Sequence, residues 1–397
     1  MSLNDTPVSE RVQIGFLGNV NAGKSSLINA VTGQDISVVS EFKGTTTDTV
    51  KKTMELHKAG PVVLIDTPGF SDDGEIGSLR MKAARKALDT VNIAVIVTTP
   101  HETESNIEPL LKLCNERNIP YITVCNKIDE AKIETTDIRA DISVSAAENI
   151  RIEELKLLLE EKIILFNERK EERFIISDRL KKNSLVTLVI PIDESAPKGR
   201  LILPQQQVIR DILAADSQAV CVKDTELEEF MKNGIGRYSD LVITDSQVFG
   251  FVDKIVPKDI PLTSFSILMA RYKGFLEMAL EGVYHIDNLK DGDRVLISEG
   301  CSHHRQCEDI GSVKIPKLLK KYTEKELSIE LSNGTYFPED LAGFDLVIHC
   351  GGCMLSEKQI LSRMKHIHNS GVKVTNYGTA ISYMNGILER AVKILKD

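Results

Sequence analysis

A glycine-rich segment near the start of the chain has the residue types and spacing of a phosphate-binding loop. It reads Gly18-Asn19-Val20-Asn21-Ala22-Gly23-Lys24-Ser25 and lies between an apolar run and a helix-like stretch. This is the G-x-x-x-x-G-K-[ST] pattern in the context that gives it chemical meaning. The glycines permit a sharp turn that aims backbone N–H groups at phosphate oxygens, and the helix start adds its positive dipole end. The predicted phosphate contacts are Gly18, Asn19, Asn21, Ala22, Gly23, Lys24, Ser25 and Ser26.

Two of these side chains and two later motifs could bind a Mg²⁺ ion and the outer phosphates. Lys24 carries a charge for the phosphates, and the Ser25 hydroxyl is suited to the bridging Mg²⁺. One hydroxyl of the triplet Thr45-Thr46-Thr47, which we assign to Thr47 although the sequence does not decide among the three, could reach the same Mg²⁺ and sense the γ-phosphate. In the segment Asp66-Thr67-Pro68-Gly69, Asp66 suits an outer-sphere Mg²⁺ contact and the Gly69 N–H suits the γ-phosphate. Both later motifs are also ordinary turn chemistry, which is their alternative interpretation.

A fourth motif, Asn126-Lys127-Ile128-Asp129, indicates selection of guanine. The Asp129 carboxylate can accept hydrogen bonds from N1–H and the 2-amino group of guanine, whereas adenine presents an acceptor at N1. With adenine, the carboxylate would face a lone pair and lack a donor. A site that leaves a buried polar group unpaired in this way rejects the wrong base strongly. Ser145-Ala146 would complete the base pocket through backbone contacts. The four motifs together predict that the chain binds and hydrolyses GTP with Mg²⁺.

A second group of reactive side chains lies in the last third of the chain. Cys301-Ser302-His303 follows one candidate strand, and His349-Cys350-Gly351-Gly352-Cys353 follows another. Two neighbouring strand ends would bring Cys301, Cys350 and Cys353 together as metal ligands. Three thiolates and an undecided fourth ligand (His303, His349 or Asp309) fit a [4Fe–4S] cluster with one exchangeable site. They fit a zinc site nearly as well, and reduced, unliganded cysteines are the third possibility.

The elements that must position these residues have an α/β pattern. Short β-branched runs alternate with helical stretches up to about residue 166, as in a doubly wound, mostly parallel sheet whose ligands bind at the carboxyl ends of the strands. Its predicted strands are 12–17, 49–56, 62–66, 93–98, 121–126 and 141–145. Two smaller α/β domains would follow, with strands at 185–191, 201–203, 219–222, 241–244, 294–299, 344–348 and 372–374. Three further cysteines, Cys114, Cys125 and Cys221, are predicted core residues.

Composition narrows the classes of protein. The 397 residues are 42% hydrophobic and 27% charged, with a net charge of -9, which is typical of globular domains and not of disorder. The acidic balance and short basic clusters argue against a nucleic-acid surface. The polar start lacks a signal-peptide pattern, and no apolar run is long enough to span a membrane. We therefore expect a cytoplasmic protein with reduced thiols. Of its seven cysteines, three of the C-terminal ones sit beside histidines, which in a reducing compartment favours metal binding over disulfides.

The order of the four nucleotide motifs resembles the translation-factor-like GTPases of the Era, Der and MnmE type. Asn21 matches the asparagine that in MnmE-like relatives helps to hold a K⁺ ion, although a loop cap is its alternative role. Phe70 stands where Ras-like proteins have a water-orienting glutamine. The resemblance therefore implies slow intrinsic hydrolysis.

The whole chain resembles the HydF family of [FeFe]-hydrogenase maturation GTPases, through the nucleotide motifs, C-x-H at Cys301 and H-C-x-x-C at His349. The resemblance implies a GTP-binding domain (1–170), a dimerisation domain (171–270) and an iron–sulfur cluster-binding domain (271–397). It also implies a homodimeric scaffold that carries a [4Fe–4S] cluster and the two-iron precursor of the hydrogenase active site. The partners would be the radical-SAM maturases HydE and HydG and the apo-[FeFe]-hydrogenase. The competing interpretations are an RNA-associated GTPase and a zinc-stabilised GTPase switch.

Overall fold

The computed structural model describes residues 6–33, 50–67, 69, 85–130, 140–192, 201–300, 309–334 and 336–396. Three predicted site residues, Thr47, Cys301 and His303, lie outside these ranges, as does Phe70. The chain divides into two compact units, Met1–Glu171 and Glu172–Asp397.

The first unit contains a six-stranded sheet with the order β2-β3-β1-β4-β5-β6. Its strands are β1 (Val12–Gly18), β2 (Lys51–Leu56), β3 (Gly60–Asp66), β4 (Ile93–Thr98), β5 (Tyr121–Cys125) and β6 (Ile142–Ser143). All neighbours pair in parallel except β2, which is antiparallel to β3. Most residues of the central strands β1, β3, β4 and β5 are apolar and buried, because both faces of a parallel sheet are covered. The prediction of a mostly parallel sheet is confirmed.

Helices cover both faces of this sheet. They are α1 (Lys24–Thr32), α2 (Glu104–Glu116) and α3 (Ile152–Glu168), and residues 85–88 are also helical. Leu27 of α1 and Leu155 of α3 share one apolar cluster with Phe16 of β1. Leu110 of α2 packs into a second cluster with Leu17, the next residue of the same strand. Because successive residues of a strand point to opposite faces, these two cores lie on opposite sides of the sheet, as in a doubly wound fold.

The second unit contains two four-stranded sheets, ordered β10-β9-β7-β8 and β12-β11-β13-β14, in which every neighbouring pair is parallel. The strands are β7 (Leu185–Val189), β8 (Gln218–Val222), β9 (Leu241–Thr244), β10 (Leu262–Ser264), β11 (Arg294–Ser298), β12 (Ser328–Ser332), β13 (Leu346–His349) and β14 (Lys373–Asn376). The helices are α4 (Leu203–Ala214), α5 (Leu227–Asn233), α6 (Phe249–Ile255), α7 (Phe265–Tyr272), α8 (Leu276–Val283), α9 (Ile315–Thr323), α10 (Glu357–Asn369), α11 (Tyr377–Met384) and α12 (Leu388–Lys393).

One apolar cluster joins residues of both sheets in this unit. Val189 and Val242 from the first sheet belong to the same cluster as Val295 and Val347 from the second. The two sheets are thus packed within one compact unit. The division of this region at residue 270 into two domains stays a prediction. No helix in the described part of the chain is long and apolar enough to cross a lipid bilayer.

Three expectations about this unit are wrong. Residues 201–203 do not form a strand, because Leu203 begins α4 and Pro204 occupies its first turn, where proline is well tolerated. Strands β10 and β12 were not predicted; β10 has only three residues and β12 is a largely exposed edge strand. Cys221 is exposed and not a core residue, whereas Cys114 and Cys125 are buried as predicted.

Candidate nucleotide and cysteine sites

The glycine-rich loop connects β1 to α1, and its two glycines are required by close backbone approaches. A Cβ atom on Gly18 would lie 2.1 Å from the carbonyl oxygen of Val97. A Cβ atom on Gly23, which has a φ of 85°, would lie 2.3 Å from the side-chain amide nitrogen of Asn126. No other residue type fits these positions without displacing a neighbour. The loop is therefore held tightly against the ends of β4 and β5.

Lys24, the first residue of α1, is buried with its charge directed into the loop. Its Nζ donates to the carbonyl oxygen of Asn19 at 2.8 Å and to that of Gly18 at 3.1 Å. Burial lowers the pKa of Lys24, and the nearby carboxylates of Asp66 and Glu102 oppose that shift. The ammonium group thus already lies at the concave side of the loop, where phosphate oxygens would be stronger acceptors than neutral carbonyls.

Two of the residues predicted to serve Mg²⁺, Ser25 and Asp66, meet at this loop. The Ser25 hydroxyl donates to Asp66 Oδ2 at 2.5 Å. Gly69 also contacts the loop, since a Cβ atom at this position would lie 2.7 Å from the Cα of Val20. The structure therefore brings Ser25, Asp66 and Gly69 together at the carboxyl ends of β1 and β3, where the sequence placed them.

Asn126 connects the glycine-rich loop to the predicted base pocket. Its Nδ2 donates to the carbonyl oxygen of Ala22 at 3.0 Å, and its Oδ1 accepts from the N–H of Ala146 at 3.0 Å. The side chain is only 1% exposed. Asn126 therefore fixes the loop of Ala22 relative to the loop of Ala146, a structural role that the sequence did not reveal.

The other predicted base-pocket residues surround this connection. The aliphatic part of Lys127 passes near Gly23, with its Cε 3.9 Å from a Cβ built there. Asp129 is exposed, in a single 3₁₀ turn. Ser145 is fully buried, and its Oγ accepts from the N–H of Glu148 at 3.1 Å. The exposed carboxylate of Asp129 is thus accessible to the nucleobase.

One site residue was missed by the sequence analysis. Glu102 accepts from Asn19 Nδ2 at 2.6 Å, from Thr98 Oγ1 at 2.7 Å and from the Thr99 N–H at 2.8 Å. Glu102 follows β4, which lies beside β1 in the sheet. The sequence could have indicated it only through the rule that the carboxyl ends of neighbouring parallel strands lie together. Asn21, the predicted K⁺ residue, is exposed in the same loop with a φ of 63°.

The predicted cysteine site begins where β11 and β13 end side by side. Ser298 of β11 pairs with His349 of β13, and Cys350 follows directly. The Cys350 Sγ accepts from the Gly300 N–H at 3.0 Å and from the Gly352 N–H at 3.3 Å. Burial raises the pKa of Cys350, and these two N–H groups oppose the increase. Backbone N–H groups directed at sulfur are typical of thiolates that bind metal clusters.

Cys353 lies at the end of a tight turn. Gly352 has a φ of 68°, and a Cβ atom there would lie 2.4 Å from Cδ1 of Ile360, so glycine is required. Burial raises the pKa of Cys353 to about 12, Cys350 adds to the increase, and Lys273 opposes it. Both thiols are half-buried in the described structure. Among the described residues, no group of three or more metal-ligating side chains occurs.

The two described candidates for the fourth ligand both have other partners. His349 is fully buried, and burial together with Arg363 lowers its pKa to about 3. Arg363 Nη1 lies 3.2 Å from Nε2 of His349 and can only donate, so Nδ1 carries the proton and donates to the Cys350 carbonyl oxygen at 2.7 Å. Asp309 Oδ2 accepts from the N–H and the hydroxyl of Ser312. In this conformation both histidine nitrogens are occupied.

Comparisons with protein families divide the chain into three parts. A profile described as "50S ribosome-binding GTPase" matches residues 13–127. One described as "Hydrogen maturase F dimerization domain" matches residues 175–274, and one described as "Hydrogen maturase F tetramerization domain" matches residues 277–394. The first unit is therefore a P-loop GTPase domain. The second unit matches two family models, one named for dimerisation and one for tetramerisation.

Individual relatives share the first part of the chain. The "tRNA modification GTPase MnmE" of Legionella pneumophila (strain Corby) is 32% identical over 156 residues, which are 38% of this chain and 34% of that protein. The "GTPase Era" of Clostridium acetobutylicum is 25% identical over 237 residues, 53% of this chain and 77% of that protein. The chain thus spans about a third of the length of the MnmE relative. Among solved structures, the G domain of the T. maritima FeoB iron transporter matches 40% of this chain and 99% of that chain, with a TM-score of 0.31 and 24% identity.

Proposed function

The chain belongs to the hydrogenase maturase F family, and from that premise we propose that it is a GTP-hydrolysing scaffold for iron–sulfur chemistry. It would hold a [4Fe–4S] cluster, receive the two-iron precursor of the [FeFe]-hydrogenase active site, and deliver it to the apo-hydrogenase. The maturases HydE and HydG are the proposed suppliers of the precursor. One observation carries the proposal: a Cys350-Gly351-Gly352-Cys353 loop prepared for thiolate ligation lies in the same chain as a P-loop GTPase domain.

The cysteine loop fits a thiolate-ligated cluster. Two backbone N–H groups are directed at Cys350 Sγ, and the glycine between the thiols permits the tight turn. Gly300, one of the two donors, immediately precedes Cys301 in the sequence. We propose Cys301, Cys350 and Cys353 as the ligands, with His303, His349 or Asp309 as candidates for the fourth position. Ligation by His349 would require its ring to give up one of these two contacts.

The nucleotide site supports GTP and Mg²⁺ binding by the same chain. Lys24 would exchange its two loop carbonyls for the outer phosphates, and Ser25 with Asp66 would serve one Mg²⁺ ion, directly or through water. Thr47 is the proposed second hydroxyl ligand, and Gly69 the backbone donor to the γ-phosphate. Asp129 would select guanine. We also propose that Asn21 helps to hold K⁺ and that hydrolysis is slow.

Serine substitutions test the cluster. We expect Cys350→Ser and Cys353→Ser to lose iron, acid-labile sulfide and the EPR signal of the reduced cluster after anaerobic reconstitution, because serine is a poorer iron ligand. Cys221→Ser is the matched control, since Cys221 is exposed and far from the motif in sequence, and it should keep all three signals. Stoichiometric zinc without iron in the wild type would replace the proposal with the zinc-stabilised switch.

Changes at the nucleotide site test the GTPase. Lys24→Ala should abolish hydrolysis while the cluster is retained, and Asp129→Asn should weaken the preference for GTP over other nucleotides. Equal turnover of ATP and GTP by the wild type would contradict the role of Asp129. Faster hydrolysis in K⁺ than in Na⁺ is expected and should disappear in Asn21→Ala. Identical wild-type rates in the two salts would contradict the role of Asn21.

A homodimer formed through residues 171–270 is also part of the proposal. Light scattering of the full chain at several concentrations tests subunit association. A monomer at all concentrations would contradict it.

A further inference from the structure

The carboxylate of Glu102 accepts hydrogen bonds from two sides beside the phosphate loop, although Glu102 belongs to none of the nucleotide motifs. On the loop side, its Oε1 accepts from Asn19 Nδ2 at 2.6 Å. On the strand side, its Oε2 accepts from the Thr98 hydroxyl at 2.7 Å and from the Thr99 N–H at 2.8 Å. Hydrogen bonds to a carboxylate are stronger than those between neutral groups. Glu102 therefore joins the phosphate loop firmly to the end of β4.

Asn19 connects this carboxylate to the lysine of the loop. Its side chain is bonded to Glu102, and its backbone carbonyl oxygen accepts from Lys24 Nζ at 2.8 Å. The same oxygen also accepts from the N–H of Ala22 at 3.3 Å, which closes the turn of the loop. The position of the Lys24 ammonium group therefore depends on Asn19, and the position of Asn19 depends on Glu102.

The strand side of this connection is buried and fixed. Thr98 is the last residue of β4 and is fully buried. Its carbonyl oxygen accepts from the N–H of Asn126 at 2.8 Å, and the Asn126 side chain donates to the carbonyl oxygen of Ala22. The phosphate loop is thus attached to the ends of the strands at two points, at Asn19 through Glu102 and at Ala22 through Asn126.

We propose that Glu102 is a positioning residue of the nucleotide site, which holds the phosphate loop in its binding conformation through Asn19 and so fixes where the Lys24 ammonium group lies. The inference rests on GTP binding and hydrolysis by this domain. Without the carboxylate, the loop would sample other conformations, and a nucleotide would have to select the competent one. The apparent dissociation constant then increases as the competent fraction falls. Once a nucleotide is bound, the loop has its normal geometry, so turnover changes little.

Removal of the carboxylate should weaken nucleotide binding and leave turnover nearly unchanged. In the full chain, Glu102→Ala should raise the KM for GTP and the Kd of a fluorescent GDP analogue by about tenfold, the equivalent of one hydrogen bond to a charged group. Its kcat should stay close to the wild-type value. Glu102→Gln is the conservative variant, because its amide oxygen can accept from Thr98 and Thr99 while its amide nitrogen donates to a reversed Asn19 amide. Its KM should therefore stay near that of the wild type.

A double-mutant cycle tests whether the effect passes through Asn19. Asn19→Ala should also raise the KM for GTP. The double variant Asn19→Ala/Glu102→Ala should bind no more weakly than Glu102→Ala, because both changes break the same hydrogen bond. Glu108→Ala is the matched control, since Glu108 is exposed on α2 and its removal takes away an equal charge. It should leave both KM and kcat unchanged.

The outcomes separate this inference from the proposed function. A wild type that does not hydrolyse GTP overturns the GTPase and this inference with it. With an active wild type, an unchanged KM in Glu102→Ala overturns the positioning role alone. So does a KM in Glu102→Gln as high as in Glu102→Ala, or an equal increase in Glu108→Ala, because either would indicate an effect of charge. Effects of Asn19→Ala and Glu102→Ala that multiply in the double variant also overturn it.

The split between KM and kcat excludes a purely structural role for Glu102. A domain that is only less stable has fewer active molecules, which lowers kcat at an unchanged KM, and that result would overturn the inference. If Glu102→Ala does not fold, the other two variants decide. A raised KM in Asn19→Ala together with a wild-type KM in Glu102→Gln supports the positioning role, and an unchanged KM in Asn19→Ala overturns it.

Discussion

Replacement of Asn126 by alanine should loosen the nucleotide site before any nucleotide binds. The side chain is 1% exposed and joins two loops, donating to the Ala22 carbonyl oxygen and accepting from the Ala146 N–H, both at 3.0 Å. Truncation removes both hydrogen bonds and leaves the N–H and the C=O without this partner in a closely packed region. The glycine-rich loop then loses its connection to the base pocket.

The size of the effect follows from the two bonds. A net contribution of about 1 kcal/mol each gives about 2 kcal/mol, and the value rises if the groups remain buried and unsatisfied. Since 1.4 kcal/mol is a factor of ten in an equilibrium constant, about 2 kcal/mol corresponds to about a 30-fold increase in the open population. Both loops are destabilised by the substitution because the Asn126 side chain forms a hydrogen bond with each of them.

Hydrogen–deuterium exchange of the full chain, read by mass spectrometry, measures this opening locally. Peptides that contain Ala22 or Ala146 should exchange about 30-fold faster in Asn126→Ala, and peptides of the second unit should not change. Asn115→Ala is the matched control, because Asn115 is exposed on α2 and surface changes usually stay within about 0.5 kcal/mol. Equal protection of the Ala22 and Ala146 peptides in Asn126→Ala and wild type would refute the reasoning.

Three further predictions concern the rest of the chain. A maleimide should label the exposed Cys221 before the buried cysteines of the first unit, although partial desolvation of its thiol raises the pKa of Cys221 and slows the reaction. Mass spectrometry after brief labelling checks this. Asp178→Asn should reduce stability by about 1.5 kcal/mol at pH 7. The hydrogen bond from Arg271 holds the pKa of Asp178 below its usual range, so this contribution is present above about pH 4 and is lost as the pH falls further. Urea titrations at neutral and acidic pH should therefore show the difference from wild type shrinking in acid. Gly282→Ala should lower the melting temperature, because its Cβ would lie 1.9 Å from the Val374 carbonyl oxygen and cost about 1–3 kcal/mol; an unchanged melting temperature would contradict that close contact.

Local features of the chain were readable from the sequence. Gly18, Gly23 and Lys24 stand at fixed offsets between an apolar strand and a helix start, and this order of residue types is a local pattern of the sequence. Strands β4 and β9 have the predicted bounds because apolar runs buried on both faces carry a strong signal. The short strand β10 and the exposed strand β12 carry little apolar pattern, so their pairing came only from the tertiary structure.

Long-range partners were decided by the fold. Glu102 reaches Asn19, 83 positions away, only because β4 lies beside β1 in the sheet. Asn126 was predicted to contact a base, but its connection of Ala22 to Ala146 depends on the register of two strand ends. A sequence pattern specifies which residue follows a strand, whereas the partner of that residue depends on which strands become neighbours.

The cysteine loop shows the same division. The H-C-x-x-C spacing, with its glycines, was sufficient to predict metal ligation. That Arg363 and Lys273 are buried was not readable, because a charged residue in an amphipathic helix or at its end normally faces water. Only the tertiary structure packs α7 on the loop, where a Cβ atom on Gly351 would lie 3.1 Å from Cβ of Met269, and brings Arg363 of α10 within 3.2 Å of His349 Nε2.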